Sequence, residues 1–310
     1  MKRVLITGLA LLLTAGCSGT APQQSAGGSA EAPQEEPVVY TLESAAAFMK
    51  EGNYPKAIET YSKLIESDPE NYSLYIGRAE AYAMQKEYSS AVSDCTAAIG
   101  IDETNTEAYV FRGLLNYISG SAAEGEADIR KASVTAQGTD ANVNLTAYRQ
   151  LTDYAEKLAV TVTENTDTEG MTMTVLEMPD GTKALVIMLD GSPFGITTIP
   201  EGEEVPADPS VYALTMFEWD SEDGLIHTRF YDDGTVTMDL FGDAERIPYY
   251  ISETDDVYPA GTVYIGGTSF HDDQTQYAAF FITYEESRYL LLSGVHFADE
   301  ILLKAVIPQE

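Results

Sequence analysis

Residues 75–98 decide the architecture: Tyr75, Ile76, Gly77, Arg78, Ala79, Glu80, Ala81 and Tyr82 open them, and Glu87-Tyr88 leads on to Ala91, Cys95 and Ala98. Small residues stand where two antiparallel helices approach, with aromatic or apolar residues spaced between them, the pattern of two amphipathic helices joined by a turn. A step of 34 residues returns the same chemistry. It links Ala45, Ala79 and Gly113; Phe48 and Tyr82; Tyr54 and Tyr88; Ala57, Ala91 and Gly125; Tyr61, Cys95 and Ile129; and Leu64, Ala98 and Ala132. A fixed period of this length signals stacked supersecondary units, each burying its apolar face against the next.

These residues resemble the tetratricopeptide repeat, a helix-turn-helix unit of about 34 residues. The copy around Ala45 ends in Asp68-Pro69, a helix stop. The third copy, from Tyr109 through Arg112-Gly113, departs from the pattern. Asn116 replaces an aromatic and Gly125 replaces alanine, at about 1 kcal/mol of helix propensity, so it reads as a degraded terminal repeat. Leu145, Tyr148, Leu151, Tyr154, Ala155 and Leu158 then fall at helical spacing within 144–158, as a closing helix requires. The expected α-solenoid therefore spans 38–158, three repeats and a cap.

In the family the first helix of each unit lines a concave groove. That resemblance implies a partner-binding surface made of Leu42, Ala46 and Met49; Ile76, Glu80, Ala83 and Met84; and Val110, Leu114, Tyr117 and Ile118. Lys, Arg and Asn are nearly absent from these positions, which argues against capture of a C-terminal carboxylate. Apolar lining with adaptable Met suits an amphipathic helix or an extended apolar peptide. The same side chains would equally be core if the cap or the following domain covers them. Cys95 falls at a helix-helix contact and reads as a small packing residue.

The start of the chain is an address. Lys2-Arg3, an apolar run from Val4 to Leu13, and Leu13-Thr14-Ala15-Gly16-Cys17 make a segment too short to span a bilayer and patterned as a cleavable leader. The last five residues resemble the lipobox of bacterial lipoproteins. The resemblance implies cleavage before Cys17, acylation of its thiol, and lipid anchoring on the extracytoplasmic face of the cell membrane. Thr14 stands where the strongest form of the box has Leu. Residues 18–37, rich in Ser, Gly, Ala, Pro and Gln, read as a disordered tether.

Beyond residue 158 the period becomes twofold. Met171, Met173 and Val175 alternate with threonines before Pro179-Asp180-Gly181-Thr182, and Ile226, Thr228 and Phe230 face Val236, Met238 and Leu240 across Asp232-Asp233-Gly234. These are hairpins with one buried face. Further strands are expected over 211–219, 262–265, 276–284, 289–296 and 301–307. The fold class is thus α and β in separate domains, the solenoid followed over 159–310 by an antiparallel all-β sandwich or partial barrel that carries no family resemblance.

Seventeen Lys and Arg against 50 Asp and Glu give a formal charge of −33, which repels phosphate backbones and excludes general nucleic-acid binding. The charge is uneven: residues 159–310 hold 29 acidic and five basic side chains, residues 38–158 hold 18 and ten. Many of the acids sit in turns, where Asp-Gly preference and a solvated surface account for them. Asp220 to Gly224 comes nearest to a calcium loop but lacks its ligand spacing. His227, His271 and His296 belong to no recognisable catalytic or metal motif. Trp219, Tyr249, Tyr250, Tyr258 and Tyr264 would stack on sugars or, more simply, fill the sheet core. The reading is a binding or scaffold protein with no catalytic residues, cofactor or metal, held at the envelope and taking a protein or peptide partner in its repeat groove. The alternative is an envelope hydrolase, or a binder of cations or wall polymer, acting through the acidic β domain.

Overall fold

The computed structural model describes residues 39–137, 141–166, 171–189, 194–205, 210–240, 243–251, 262–267, 272–284, 287–295 and 300–306. The leader, Cys17, the tether, Tyr258, His271 and His296 lie outside them.

Seven helices come first: α1 (Leu42–Lys50), α2 (Tyr54–Ser67), α3 (Tyr72–Met84), α4 (Tyr88–Ile101), α5 (Thr106–Ile118), α6 (Ala122–Gln137) and α7 (Ala141–Lys157). Several of their starts are capped by side chains that satisfy free amides. Thr41 and Ser44 form a reciprocal capping box, Asn71 accepts from the Ser73 amide and Asn105 from the Ala108 amide. The turn inside each pair uses a left-handed residue at the same point of the period: Gly52 (φ 71°), Lys86 (φ 63°) and Gly120 (φ 82°).

The repeats are also fastened by a recurring ion pair. Arg78 on α3 makes a two-pronged contact with Asp94 on α4, Nε to Oδ2 at 2.8 Å and Nη2 to Oδ1 at 2.7 Å, and reaches back to Ser62 Oγ on α2 at 3.0 Å. Arg112 does the same one period later, with Asp128 at 2.8 and 2.6 Å and Thr96 Oγ1 at 3.1 Å. The fork geometry of the guanidinium suits such a pairing. Asn116, which breaks the aromatic pattern, donates to Asp128 at 3.3 Å and so belongs to this fastening. Gly125 is likewise required where it stands. A Cβ there would lie 2.5 Å from the Tyr117 ring and 2.9 Å from the Gly113 carbonyl oxygen, so the third repeat is tightened rather than degraded at this point.

The β half begins with an open meander, β1 (Thr161–Thr166), β2 (Met171–Glu177), β3 (Lys183–Leu189) and β4 (Phe194–Ile199), antiparallel throughout and ordered as in the chain. Both of its faces are covered. Leu176, Ala184, Val186, Phe194 and Ile196 join the core of the helices, while Met171, Met173, Leu185, Ile187, Leu189 and Ile199 join a second core shared with the rest of the β half. That double burial explains the unbroken apolar run from Ala184 to Leu189. Thr174, expected on a solvent face, is buried and hydrogen-bonded to Tyr148 of α7.

After helix α8 (Ser210–Met216) come β5 (Glu218–Ser221), β6 (Ile226–Phe230), β7 (Thr235–Leu240), β8 (Asp243–Ile251), β9 (Val263–Ile265), β10 (Tyr277–Tyr284), β11 (Ser287–Gly294) and β12 (Glu300–Val306). They close into an antiparallel barrel ordered β10-β11-β12-β5-β6-β7-β8-β9. The β half is therefore an open sheet plus a closed barrel, and closure removes the barrel's edges. The β6–β7 register pairs Ile226 with Leu240, Thr228 with Met238 and Phe230 with Val236, the facing sets expected from the sequence. The expected strand at 211–219 is corrected. Its first part is α8, whose Leu214 carbonyl accepts from the Trp219 indole at 3.2 Å and whose Ala213, Leu214 and Met216 are buried against sheet and barrel. A short apolar run fits helix or strand equally by period, and here the turn into β5 favours helix. Trp219, Phe230, Tyr249, Tyr277, Leu290 and Leu303 fill the barrel side of this core, with Trp219 edge-on to Phe217 and Phe281.

Candidate partner-binding groove

The row of first helices is α1, α3 and α5, with α7 completing it. Its side chains fall into two groups according to whether α7 and the sheet cover them. Val110, Leu114 and Tyr117 on α5 are buried, Val110 and Leu114 completely. These three positions, expected to line the groove, belong instead to the core. The physical reason is α7: its Tyr154 stacks on Phe111 with ring centroids 4.2 Å apart and donates to Glu107 Oε1 at 2.8 Å. Tyr117 turns its hydroxyl to Glu126 Oε1 at 3.2 Å, and the same oxygen accepts from the amide and hydroxyl of Thr198 on β4 at 2.8 and 2.9 Å. Burial raises the pKa of both tyrosines above the ordinary phenol value, so both hydroxyls remain donors.

Ile76 on α3 is buried in the same core. Glu80 is half-buried and holds Lys157 of α7 at 3.1 Å, with the Lys157 ammonium also 4.7 Å from the centre of the Tyr154 ring. Toward α1 the surface opens. Leu42 is 54% exposed and Met84 38%, while Met49 packs partly onto the small core of Ala45, Ala57, Tyr61, Leu74 and Ala81. Within the helices α1 to α7, Leu42 and Met84 are the large apolar side chains left exposed among the described residues. Three cations of the helical part are engaged within the chain: Arg78 and Arg112 on Asp94 and Asp128, Lys157 on Glu80.

Cys95 is completely buried and its thiol is pushed well up by desolvation, so it packs and does not react. In the β half, His227 is exposed and bonded through Nδ1 to Asp220 Oδ1 at 2.9 Å, which raises its pKa above the ordinary imidazole value. Trp219, Tyr249 and Tyr264 are buried, and Tyr250 is exposed. An open cleft of about 720 Å³ is lined by Asp180, Lys183, Thr198, Glu201 and Glu203. Among the described residues no three His, Cys, Asp or Glu side chains gather as a metal-ligand set, and no helix is long and apolar enough to cross a membrane.

The sequence showed the period but not the Arg–Asp fastening, although Ser62 and Thr96, like Asp94 and Asp128, recur at the same step and would have revealed it. Comparison with known proteins agrees with the geometry. The tetratricopeptide repeat family matches residues 42–106, and the chain carries these repeats. Mouse RNA polymerase II-associated protein 3 is 37% identical over 84 residues, 27% of this chain and 13% of that protein. Human tetratricopeptide repeat protein 12 is 41% identical over 66 residues, 21% of this chain and 9% of that protein. The chain thus spans about an eighth or less of these relatives. Among solved structures, the second repeat domain of Spaghetti (RPAP3) bound to the HSP90 peptide SRMEEVD is 34% identical, covering 29% of this chain and 83% of that one, with a TM-score of 0.28. The second domain of human RPAP3 in complex with the HSP70 peptide SGPTIEEVD is 31% identical, covering 36% and 88%, with a TM-score of 0.31.

Proposed function

We propose that this chain is a lipid-anchored envelope protein that holds a peptide or protein partner in the open end of its repeat groove and acts by binding rather than by chemistry. The observation that carries this reading is the exposure of Leu42 and Met84 on first helices of tetratricopeptide repeats, at the end of the stack that α7 leaves uncovered. Exposed apolar side chains along the first-helix face of a repeat stack offer apolar surface for a partner to cover. Relatives that share the repeat are solved with peptides bound, which supports the binding class without naming a partner for this chain.

Anchoring rests on Lys2-Arg3, the apolar run and Cys17. Two or three acyl chains at about 0.8 kcal/mol per buried methylene would hold a soluble body at the membrane. The test is crosslinking in the native envelope with three chains: unaltered, Cys17→Ser, and Met84→Glu. Cys17→Ser is expected to release the protein from the membrane fraction, and Met84→Glu to abolish specific adducts while leaving it in that fraction. Unchanged adducts with Met84→Glu would remove the groove from the function, and retention of Cys17→Ser at the membrane would remove the anchor.

A further inference from the structure

The kind of segment that the groove takes is written in the helix already seated on part of it, and this inference rests on the groove reading above. Helix α7 brings donors and a cation to acceptors on the stack. Tyr154 donates to Glu107, and Lys157 carries its ammonium to Glu80. The stack supplies carboxylates and an aromatic face; the seated helix supplies an aromatic ring, a hydroxyl and a lysine. The guanidinium groups of α3 and α5 face the second helices, where Asp94 and Asp128 hold them, and take no part in the groove; Lys50, one period before Met84, stands in the last turn of α1 at its rim. Whole-chain charge acts in the same direction as the stack carboxylates, since −33 repels acidic segments and steers basic ones.

The apolar seat continues past α7. Leu42, Ala46 and Met49 stand at i, i+4 and i+7 of α1, one face of a helix. Met49 touches the core that includes Leu74 and Ala81 of α3, and a step of 34 from Met49 reaches Ala83, beside Met84. Nine residues of α1 span about 13 Å, room for two to three turns of a helix laid along it. Glu43 in its first turn adds a fully solvated carboxylate, held below the ordinary pKa by the helix-start amide and the Thr41 hydroxyl.

We infer that the open end of the groove takes a short amphipathic helix of another protein, with Leu, Met or aromatic residues on one face and Lys or Arg along its flank. It would be seated beside α7 and recognised in the same way, by apolar packing on Leu42, Met49 and Met84 with basic side chains over stack carboxylates.

The test uses the full chain and two labelled synthetic peptides of about 16 residues with identical apolar faces, one flanked by Lys and one by Glu, read by fluorescence anisotropy. The Lys peptide should bind at least about tenfold tighter than its Glu twin, and Leu42→Gln with Met84→Gln should weaken it about tenfold. Both positions are exposed, so circular dichroism should show the variant folded. Equal or tighter binding of the Glu twin overturns the inference, as does undiminished binding of the Lys peptide to the variant, which would mean diffuse attraction to an acidic surface. If the variant loses its native crosslinked partners while showing no preference for the Lys peptide, the inference fails and the groove reading stands; if the native crosslinks persist, both fail.

Discussion

Replacing Asp128 by Ala should be among the most damaging single changes in the helical part. Asp128 is 7% exposed and accepts two hydrogen bonds from Arg112, at 2.8 and 2.6 Å, and a third from Asn116 at 3.3 Å. Removing one member of a buried pair leaves the other charge without compensation, at about 3–5 kcal/mol. The Arg112 side chain keeps 20% of its surface in water and its bond to Thr96, so it can partly rehydrate, and the expected loss sits at the lower end, about 3 kcal/mol. Asp94→Ala should cost the same within about 1 kcal/mol, because Arg78 meets Asp94 with the same geometry one repeat earlier. The double variant Arg112→Met with Asp128→Leu should recover at least half of the loss, since an apolar pair of similar volume carries no desolvation penalty. The assay is urea denaturation of residues 18–310 followed by far-ultraviolet circular dichroism. A change below about 0.5 kcal/mol for Asp128→Ala would refute the assignment of a fastening role, because surface pairs are worth that little.

Three further outcomes rest on particular residues. Lys86 holds a left-handed conformation (φ 63°) where the neighbouring repeats have Gly52 and Gly120, so Lys86→Gly should stabilise by up to about 1 kcal/mol in the same melts. Gly125→Ala should destabilise by about 1–3 kcal/mol despite the better helix former, because the new methyl meets Tyr117 at 2.5 Å; a gain in stability would show that α5 and α6 can separate. His227 has a folded pKa raised by the Asp220 carboxylate, so its contribution is fully present below the ordinary imidazole value and is lost as pH rises through the raised one. Ring-proton NMR should show its midpoint above that of a free histidine and falling in Asp220→Asn; an unmoved midpoint would contradict the pairing.

What was legible in the sequence was whatever repeats or alternates locally. The 34-residue step placed the helix pairs because each unit solves the same packing problem, and the twofold pattern found the facing side chains of the β6–β7 hairpin. Long-range cover was not legible. Val110, Leu114 and Tyr117 carry the pattern of a groove and become core only because α7 and β4 lie against α5 and α6, contacts made by residues tens of positions away. Gly125 and Asn116 looked like decay for the same reason, since their partners Tyr117 and Asp128 appear only in three dimensions. Strand β8 has little alternation to betray it, and Val211 to Met216 reads equally as helix or strand. Leu42 and Met84 remain exposed and hold the surviving part of the expected groove.

The doubly covered sheet sets the direction in which such a stack can change its size. Duplication of repeats ordinarily lengthens a solenoid at either end, because each terminal unit offers the surface that the next one needs. Here α6 and α7 spend that surface on β1–β4, whose opposite face is committed to α8 and the barrel, so a unit inserted after α6 would have to displace a finished core. Before α1 nothing comparable intervenes among the described residues, and Ser44 and Thr60 occupy the places that Arg78 and Asp94 hold one period later. A unit added or lost before α1 would change the reach of the stack without opening that core, whereas a change at the end that meets the sheet would have to break it.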